Sequence, residues 1–152
     1  MATAIDVAKY ILEKHGPMTA MKLQKLVYYC QAWSLVWDDA PLFDEPIQAW
    51  LNGPVVRSLY DKHKGKFDVA KETFQDGDTS HLTLVQIETI EAVLGFYGGA
   101  SAQWLSDLSH KERPWRQARE GVGEMDNSEN EITPESMGEY YTRVAELKNV
   151  SK

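Results

Sequence analysis

Cysteine is almost absent from this sequence, which has 152 residues and a single cysteine, Cys30. No disulfide can form within the chain, no four-cysteine zinc site can be built, and the cytoplasm is the default compartment. No apolar run approaches the roughly 18 residues that a membrane span needs. Asp6, Lys9 and Glu13 interrupt the N-terminal segment, so we expect neither a signal peptide nor a membrane partner.

Positive charge is also scarce, with 16 Lys and Arg against 23 Asp and Glu and a net charge of −7. This balance argues against a dedicated nucleic-acid binder. The deficit is uneven, because residues 1–71 hold 9 basic and 8 acidic residues whereas residues 72–152 hold 7 and 15. The basic surplus lies in Arg57, Lys62, Lys64, Lys66 and Lys71. If the run from Lys62 to Lys66 does more than face solvent, it offers an electropositive patch to an acidic partner.

A catalytic or metal-binding set of residues is missing as well. No two of the four histidines have the spacing of a helical metal pair. His110 and Glu112 could share a metal, but no third ligand lies nearby, and we interpret His110 as a buttress of the junction before Pro114-Trp115. Cys30 lies on an apolar helical stripe, which favours a buried and unreactive thiol. We therefore expect no catalytic residue, no metal and no cofactor, and hence no enzyme activity.

What the sequence does contain is helical periodicity and 16 aromatic residues, which suffice for a core. We predict a mainly α fold, with residues 1–152 forming a single compact domain of six or seven helices. At most a small β element is expected, near residues 47–51 and 72–82. Five residues are predicted helix N-caps: Thr3, Thr19, Thr83, Ser101 and Thr133. The predicted helices cover about residues 5–13, 20–37, 55–63, 84–97, 102–108, 114–119 and 134–147.

The helix over residues 20–37 is predicted to be the most buried, because its apolar residues recur every three or four positions. That stripe consists of Leu23, Leu26, Val27, Cys30, Trp33 and Trp37. Lys22, Gln24 and Lys25 are expected to point away from it. Tyr28 and Tyr29 border the stripe, where each tyrosine either fills the edge of the core or meets a partner.

Three separated blocks, at residues 21–33, 45–60 and 105–115, carry a family resemblance. They include Lys22-Leu23-Gln24-Lys25-Leu26, Gly53-Pro54-Val55-Val56 and His110-Lys111-Glu112-Arg113-Pro114-Trp115. In order and spacing they resemble the Panacea domain of the SocA-like antitoxin family, which includes phage-associated proteins. The resemblance covers about residues 3–147. It implies a helical antitoxin of a bacterial or phage toxin–antitoxin system, which neutralises a cognate toxin, encoded beside it, by direct binding.

Binding without catalysis requires an exposed patch with aromatic or arginine anchors. The candidates come from the first two blocks: Lys22, Tyr28, Gln31, Asn52, Arg57 and Tyr60. They would share one surface if the helices over residues 20–37 and 55–63 lay side by side. The alternative partner surface is the acidic face around Glu124–Glu135. The sequence does not decide whether the chain forms a homo-oligomer.

A second hypothesis is a DNA-binding regulator, because residues 5–37 resemble a helix-turn-helix. Lys22 and Lys25 could then face phosphates. Beyond its first turn, however, the second helix is too apolar for one exposed in a DNA groove, and the chain as a whole is acidic. The antitoxin hypothesis is therefore preferred.

Overall fold

The structure, a computed structural model, describes residues 1–152. Seven α-helices and small antiparallel sheets confirm the mainly α fold class. The helices are α1 (Ala4–His15), α2 (Ala20–Trp37), α3 (Arg57–His63), α4 (Leu84–Tyr97), α5 (Ala102–Lys111), α6 (Arg113–Ala118) and α7 (Pro134–Lys148). The strands are β1 (Met18–Thr19), β2 (Ile47–Trp50), β3 (Gly53–Val56), β4 (Asp68–Val69) and β5 (Glu131–Ile132). None of the helices combines the length and the apolar character needed to cross a bilayer.

All five predicted N-caps are formed. In each case the side-chain oxygen accepts a hydrogen bond from the backbone N–H three residues later; the caps are Thr3, Thr19, Thr83, Ser101 and Thr133. Such contacts satisfy N–H groups that have no partner within the first helical turn. The helices accordingly begin one residue after each cap.

Helix α2 is the centre of the fold, and 13 of its residues are buried, which is more than in any other helix. Leu26 and Cys30 are fully buried and Trp33 is 2% exposed, as predicted. The expected outward direction of Gln24 and Lys25 is wrong, since both are buried. Their side chains point at strand β3, which covers the polar side of the helix. A single cluster of 32 buried apolar residues joins α2 to the surrounding elements.

The predicted small β element at residues 47–51 is present as β2, and β3 joins it in a hairpin. Strand β2 pairs antiparallel with β3, with Ile47 opposite Val56, and with β5 on its other side, with Ile47 opposite Ile132. The prediction that a helix starts at Val55 is wrong: residues 53–56 are extended and α3 begins at Arg57. Two adjacent β-branched valines favour the strand.

The prediction of a β element near residues 72–82 is also wrong. That segment holds two short 3₁₀ turns, Lys71–Phe74 and Thr79–His81. The strand lies just before it, where Val69 of β4 pairs with Met18 of β1. Phe74 is fully buried from its turn and needs no strand to reach the core.

Candidate partner-binding site

The first two sequence blocks interlock where α2 covers the free edge of β3. The Gln24 side-chain amide donates to the Val56 carbonyl at 3.2 Å and accepts from the Val56 N–H at 2.8 Å. The Lys25 ammonium donates to the Pro54 carbonyl at 3.2 Å. These side chains occupy backbone groups of an edge strand that would otherwise be unpaired, and they therefore fix the hairpin against α2.

Lys25 fits there because residue 53 is glycine. A Cβ on Gly53 would lie 2.5 Å from Lys25 Cε, and φ at Gly53 is +122°, which side chains rarely allow. Burial lowers the pKa of Lys25 to about 8, and no carboxylate lies within ion-pair distance of it. Lys25 consequently cannot contact a DNA phosphate as the helix-turn-helix hypothesis requires.

The first and third blocks meet at Glu112, between α5 and α6. The Tyr29 hydroxyl donates to its carboxylate at 2.6 Å and the Tyr141 hydroxyl donates at 2.8 Å. Burial raises the pKa of Glu112, and the two hydrogen bonds partly oppose that rise. The Tyr28 hydroxyl lies 3.0 Å from that of Tyr141. We call Gln24, Lys25, Tyr29, Glu112 and Tyr141 the central junction; through Tyr141 it also holds α7.

The second and third blocks meet beneath the hairpin. The Trp115 indole N–H donates to the Trp50 carbonyl at 2.8 Å. His110 stacks on Trp115 with ring centroids 4.1 Å apart, in agreement with its interpretation as a buttress. The buried Arg119 donates to the Ala49 carbonyl at 3.1 Å. The hairpin is thus supported from below by α6, and its outer side is partly exposed.

That outer side carries aromatic and arginine side chains. The Trp50 and Tyr60 rings meet edge to face with centroids 4.8 Å apart. The Arg57 guanidinium lies 5.9 Å from the Trp50 ring and 6.0 Å from the Tyr60 ring. We call Trp50, Asn52, Val55, Arg57 and Tyr60 the hairpin face. A hollow of about 280 Å³ opens on it, lined by Trp50, Leu51, Asn52, Val55 and Asn127.

Acidic residues border the hairpin face. Residues 120–130, here called the acidic loop, hold four acidic residues and no basic one. The loop is tied down because Arg119 donates to the carbonyls of Gly123 and Asp126 and Asn127 accepts from the Leu51 N–H at 3.0 Å. Glu129 pairs with Arg57 at 3.2 Å. This border favours a partner with a basic surface.

The predicted partner-binding residues divide into two groups. Asn52 and Arg57 are exposed and Tyr60 is half-buried, all on the hairpin face, and Lys22 is half-buried in the first turn of α2. For these four, partner binding stays a prediction.

The placement of Tyr28 and Gln31 on that surface is wrong, since they are 1% and 3% exposed. Gln31 donates to the Phe43 carbonyl at 2.8 Å and accepts from the Leu42 N–H at 2.8 Å, so the loop after α2 covers it. Strand β3, which pairs with Gln24, occupies the place expected for α3 alongside α2.

Trp50 is the surface residue that the sequence interpretation missed. It is half-buried, at the outer end of β2. The signal is the alternation along β2, where Ile47 and Ala49 are buried while Gln48 and Trp50 face out. This period of two identifies the outward side of a strand.

Neither a reactive thiol nor a metal-binding group of side chains lies on the hairpin face. Cys30 is fully buried and burial raises its pKa. No group of three or more His, Cys, Asp or Glu side chains is arranged to hold a metal ion.

The family model for the SocA-like antitoxin, Panacea domain, matches residues 23–116. The chain belongs to this family. The match runs from α2 to α6 and contains four of the five central junction residues and the whole hairpin face, whereas the acidic loop and α7 of this Panacea protein lie beyond it. No curated protein and no solved structure matches the chain.

Proposed function

We propose that this Panacea protein is an antitoxin that neutralises a cognate protein toxin, encoded beside it, by direct binding at the hairpin face. Family membership supports the antitoxin role. The observation that carries the choice of surface is the cluster of the exposed Arg57 with the half-buried Trp50 and Tyr60. Tryptophan, tyrosine and arginine supply most binding hot spots.

The hairpin face favours a basic toxin surface. Trp50 and Tyr60 offer apolar area beside a hollow of about 280 Å³, large enough for a side chain of the partner. Asp61 and Glu129 flank Arg57, so the border of the face is acidic. A basic partner would be steered to it by long-range attraction and held by the aromatic contacts.

We further propose that the chain acts by binding alone, without catalysis. The buried polar groups support this: Glu112 accepts from two tyrosines, Lys25 donates to Pro54 and Gln31 bridges two backbone groups. Each of them holds structural elements together. The groups at the surface are of the kind that contacts a partner.

Co-expression with the product of the adjacent reading frame tests the proposal. The change Asn52→Arg fills the hollow from an exposed position without altering the core, and it should abolish rescue of growth. Gln103→Arg adds the same charge at an exposed position on α5 and should leave rescue intact. Both variants should melt like the parent protein. Full rescue by Asn52→Arg would reject the hairpin face, and a harmless neighbouring product would reject the antitoxin role.

A further inference from the structure

A second surface, at β1 and β4, takes no part in the proposed function. Phe67 is 78% exposed, and Lys64 and Lys66 precede it; we call residues 64–67 the basic loop. The backbone here is held in place, because the Ala20 N–H donates to the Phe67 carbonyl at 2.8 Å and β4 begins at the next residue. A large aromatic side chain is thus exposed on an anchored backbone, next to two lysines.

The acidic loop presents the opposite charge around another apolar side chain. Met125 is 78% exposed and lies between Glu124 and Asp126. Arg119 holds this loop by donating to the carbonyls on either side, at Gly123 and Asp126. Both loops therefore offer one apolar side chain with two like charges on an anchored backbone.

None of these charges is neutralised within the chain. The seven ion pairs of the structure include neither Lys64 nor Lys66, and neither Glu124 nor Asp126. The two loops also flank different sheets, since β4 pairs with β1 whereas β5, which follows the acidic loop, pairs with β2. Their complementarity is therefore unused in a single copy.

We propose that the basic loop of one chain binds the acidic loop of a second copy, with Phe67 against Met125. Lys64 and Lys66 would face Glu124 and Asp126, and opposed charges of this kind steer and orient association. The methionine sulfur and the aromatic ring also attract each other. Because the basic loop and the acidic loop are different surfaces, a pair of bound copies still has one free basic loop and one free acidic loop. Further copies can therefore add head to tail.

A second copy fits the basic loop better than an extended anionic surface does. A membrane or a nucleic acid spreads negative charge over an area larger than the basic loop, so it also meets the acidic remainder of the chain, whose net charge is −7, and is repelled there. A second copy carries the same net charge, but its acidic loop is small enough to approach the basic loop alone, and it brings an apolar side chain for Phe67. An interface of this small size is weak, so association depends on concentration.

Sedimentation velocity of the full chain tests the inference without any toxin. At low salt the weight-average mass should rise above 17.3 kDa with concentration, and the rise should disappear at high salt because the charges are screened. Phe67→Ser should reduce the rise, as should Met125→Ser.

Charge-reversal variants give the decisive test in this experiment. Lys64→Glu/Lys66→Glu makes both loops acidic, and Glu124→Lys/Asp126→Lys makes both basic, so each variant alone should stay monomeric. An equimolar mixture of the two should associate again. Lys111→Glu/Arg113→Glu lowers the net charge as much as Lys64→Glu/Lys66→Glu does, at exposed positions outside both loops, and should associate like the parent chain.

A mass that is independent of concentration, or a mixture no larger than its components, would overturn the inference. Association that does not depend on the salt concentration would also overturn the inference, because it would place the interface on another face of the chain. Salt-sensitive binding of the monomeric chain to phosphatidylserine vesicles, lost in Lys64→Glu/Lys66→Glu, would assign the basic loop to a membrane and reject the second copy.

Discussion

The central junction and the hairpin face are built from similar residue types that serve opposite purposes. At the junction Tyr29 and Tyr141 donate to a buried carboxylate, and at the face Trp50 and Tyr60 meet edge to face and stay partly exposed. Residue type alone therefore does not identify a binding surface in this protein. What separates the two regions is how fully other elements cover them: α7 and β3 close the junction, whereas the hairpin face is only partly covered, by the acidic loop along its border.

The largest expected effect follows from the burial of α2. Leu26→Ala removes a fully buried side chain and should lower the free energy of unfolding by about 2–5 kcal/mol, because it leaves a cavity as well as losing apolar contact. Leu147→Ala is the matched control, since Leu147 is 86% exposed, and should change stability by less than about 0.5 kcal/mol. Denaturant titration measures both, and equal losses would contradict the placement of α2.

Gln31 sharpens the comparison because the sequence had placed it on the surface. Gln31→Ala leaves the Leu42 N–H and the Phe43 carbonyl without their partner and should cost about 1–3 kcal/mol of unfolding free energy. Gln103→Ala, an exposed glutamine that bonds only to Asp107, should be nearly neutral. If Gln31→Ala melted like the parent protein yet failed to bind the toxin, the surface interpretation would return.

The helices could be predicted from the sequence, but the strand and loop that pack over them could not. N-caps and apolar stripes are local signals, and each of the five Thr or Ser caps precedes a periodic segment. The burial of Gln24 and Lys25 depends on β3, whose partner residues lie 32 and 29 positions further along the chain. Nothing in the sequence of α2 itself indicates that β3 packs there. The acidic loop likewise depends on Arg119, which donates to the Gly123 and Asp126 carbonyls of the loop and is itself fixed by a long-range bond to the Ala49 carbonyl. Such contacts follow from tertiary packing, which overrides the local pattern.

Glu112 tests the junction through pH. Burial raises its folded-state pKa above the ordinary value of 4.5, so between that value and the folded-state pKa the folded chain binds more protons than the unfolded chain. Stability from this group is therefore fully present below pH 4.5 and is lost as pH rises through the folded-state pKa. Lys148 lowers the pKa from nearby and moderates the effect.

Glu112→Gln removes this titration and keeps an oxygen to accept from Tyr29 and Tyr141. The melting temperature of the parent protein, relative to the variant, should therefore rise as pH falls towards 4.5. Other carboxylates titrate equally in both proteins and cancel from the difference. If the difference in melting temperature between the parent protein and the variant does not change with pH over this range, Glu112 has an ordinary pKa and the central junction is hydrated.

The smallest expected change in stability is at the hairpin face, where it matters most for function. Arg57 has a side chain 48% exposed and pairs only with exposed carboxylates, so Arg57→Ala should shift the unfolding free energy by less than about 0.5 kcal/mol. Binding of the co-expressed toxin should nevertheless weaken by about 1 kcal/mol or more if Arg57 is an anchor. Arg143→Ala removes a similar exposed pair on α7 and should affect neither quantity. Calorimetric titration with parallel thermal melts separates the cases: a loss of binding that always accompanies early melting would make the hairpin face mere packing, and would move the toxin site to the acidic face around Glu124–Glu135.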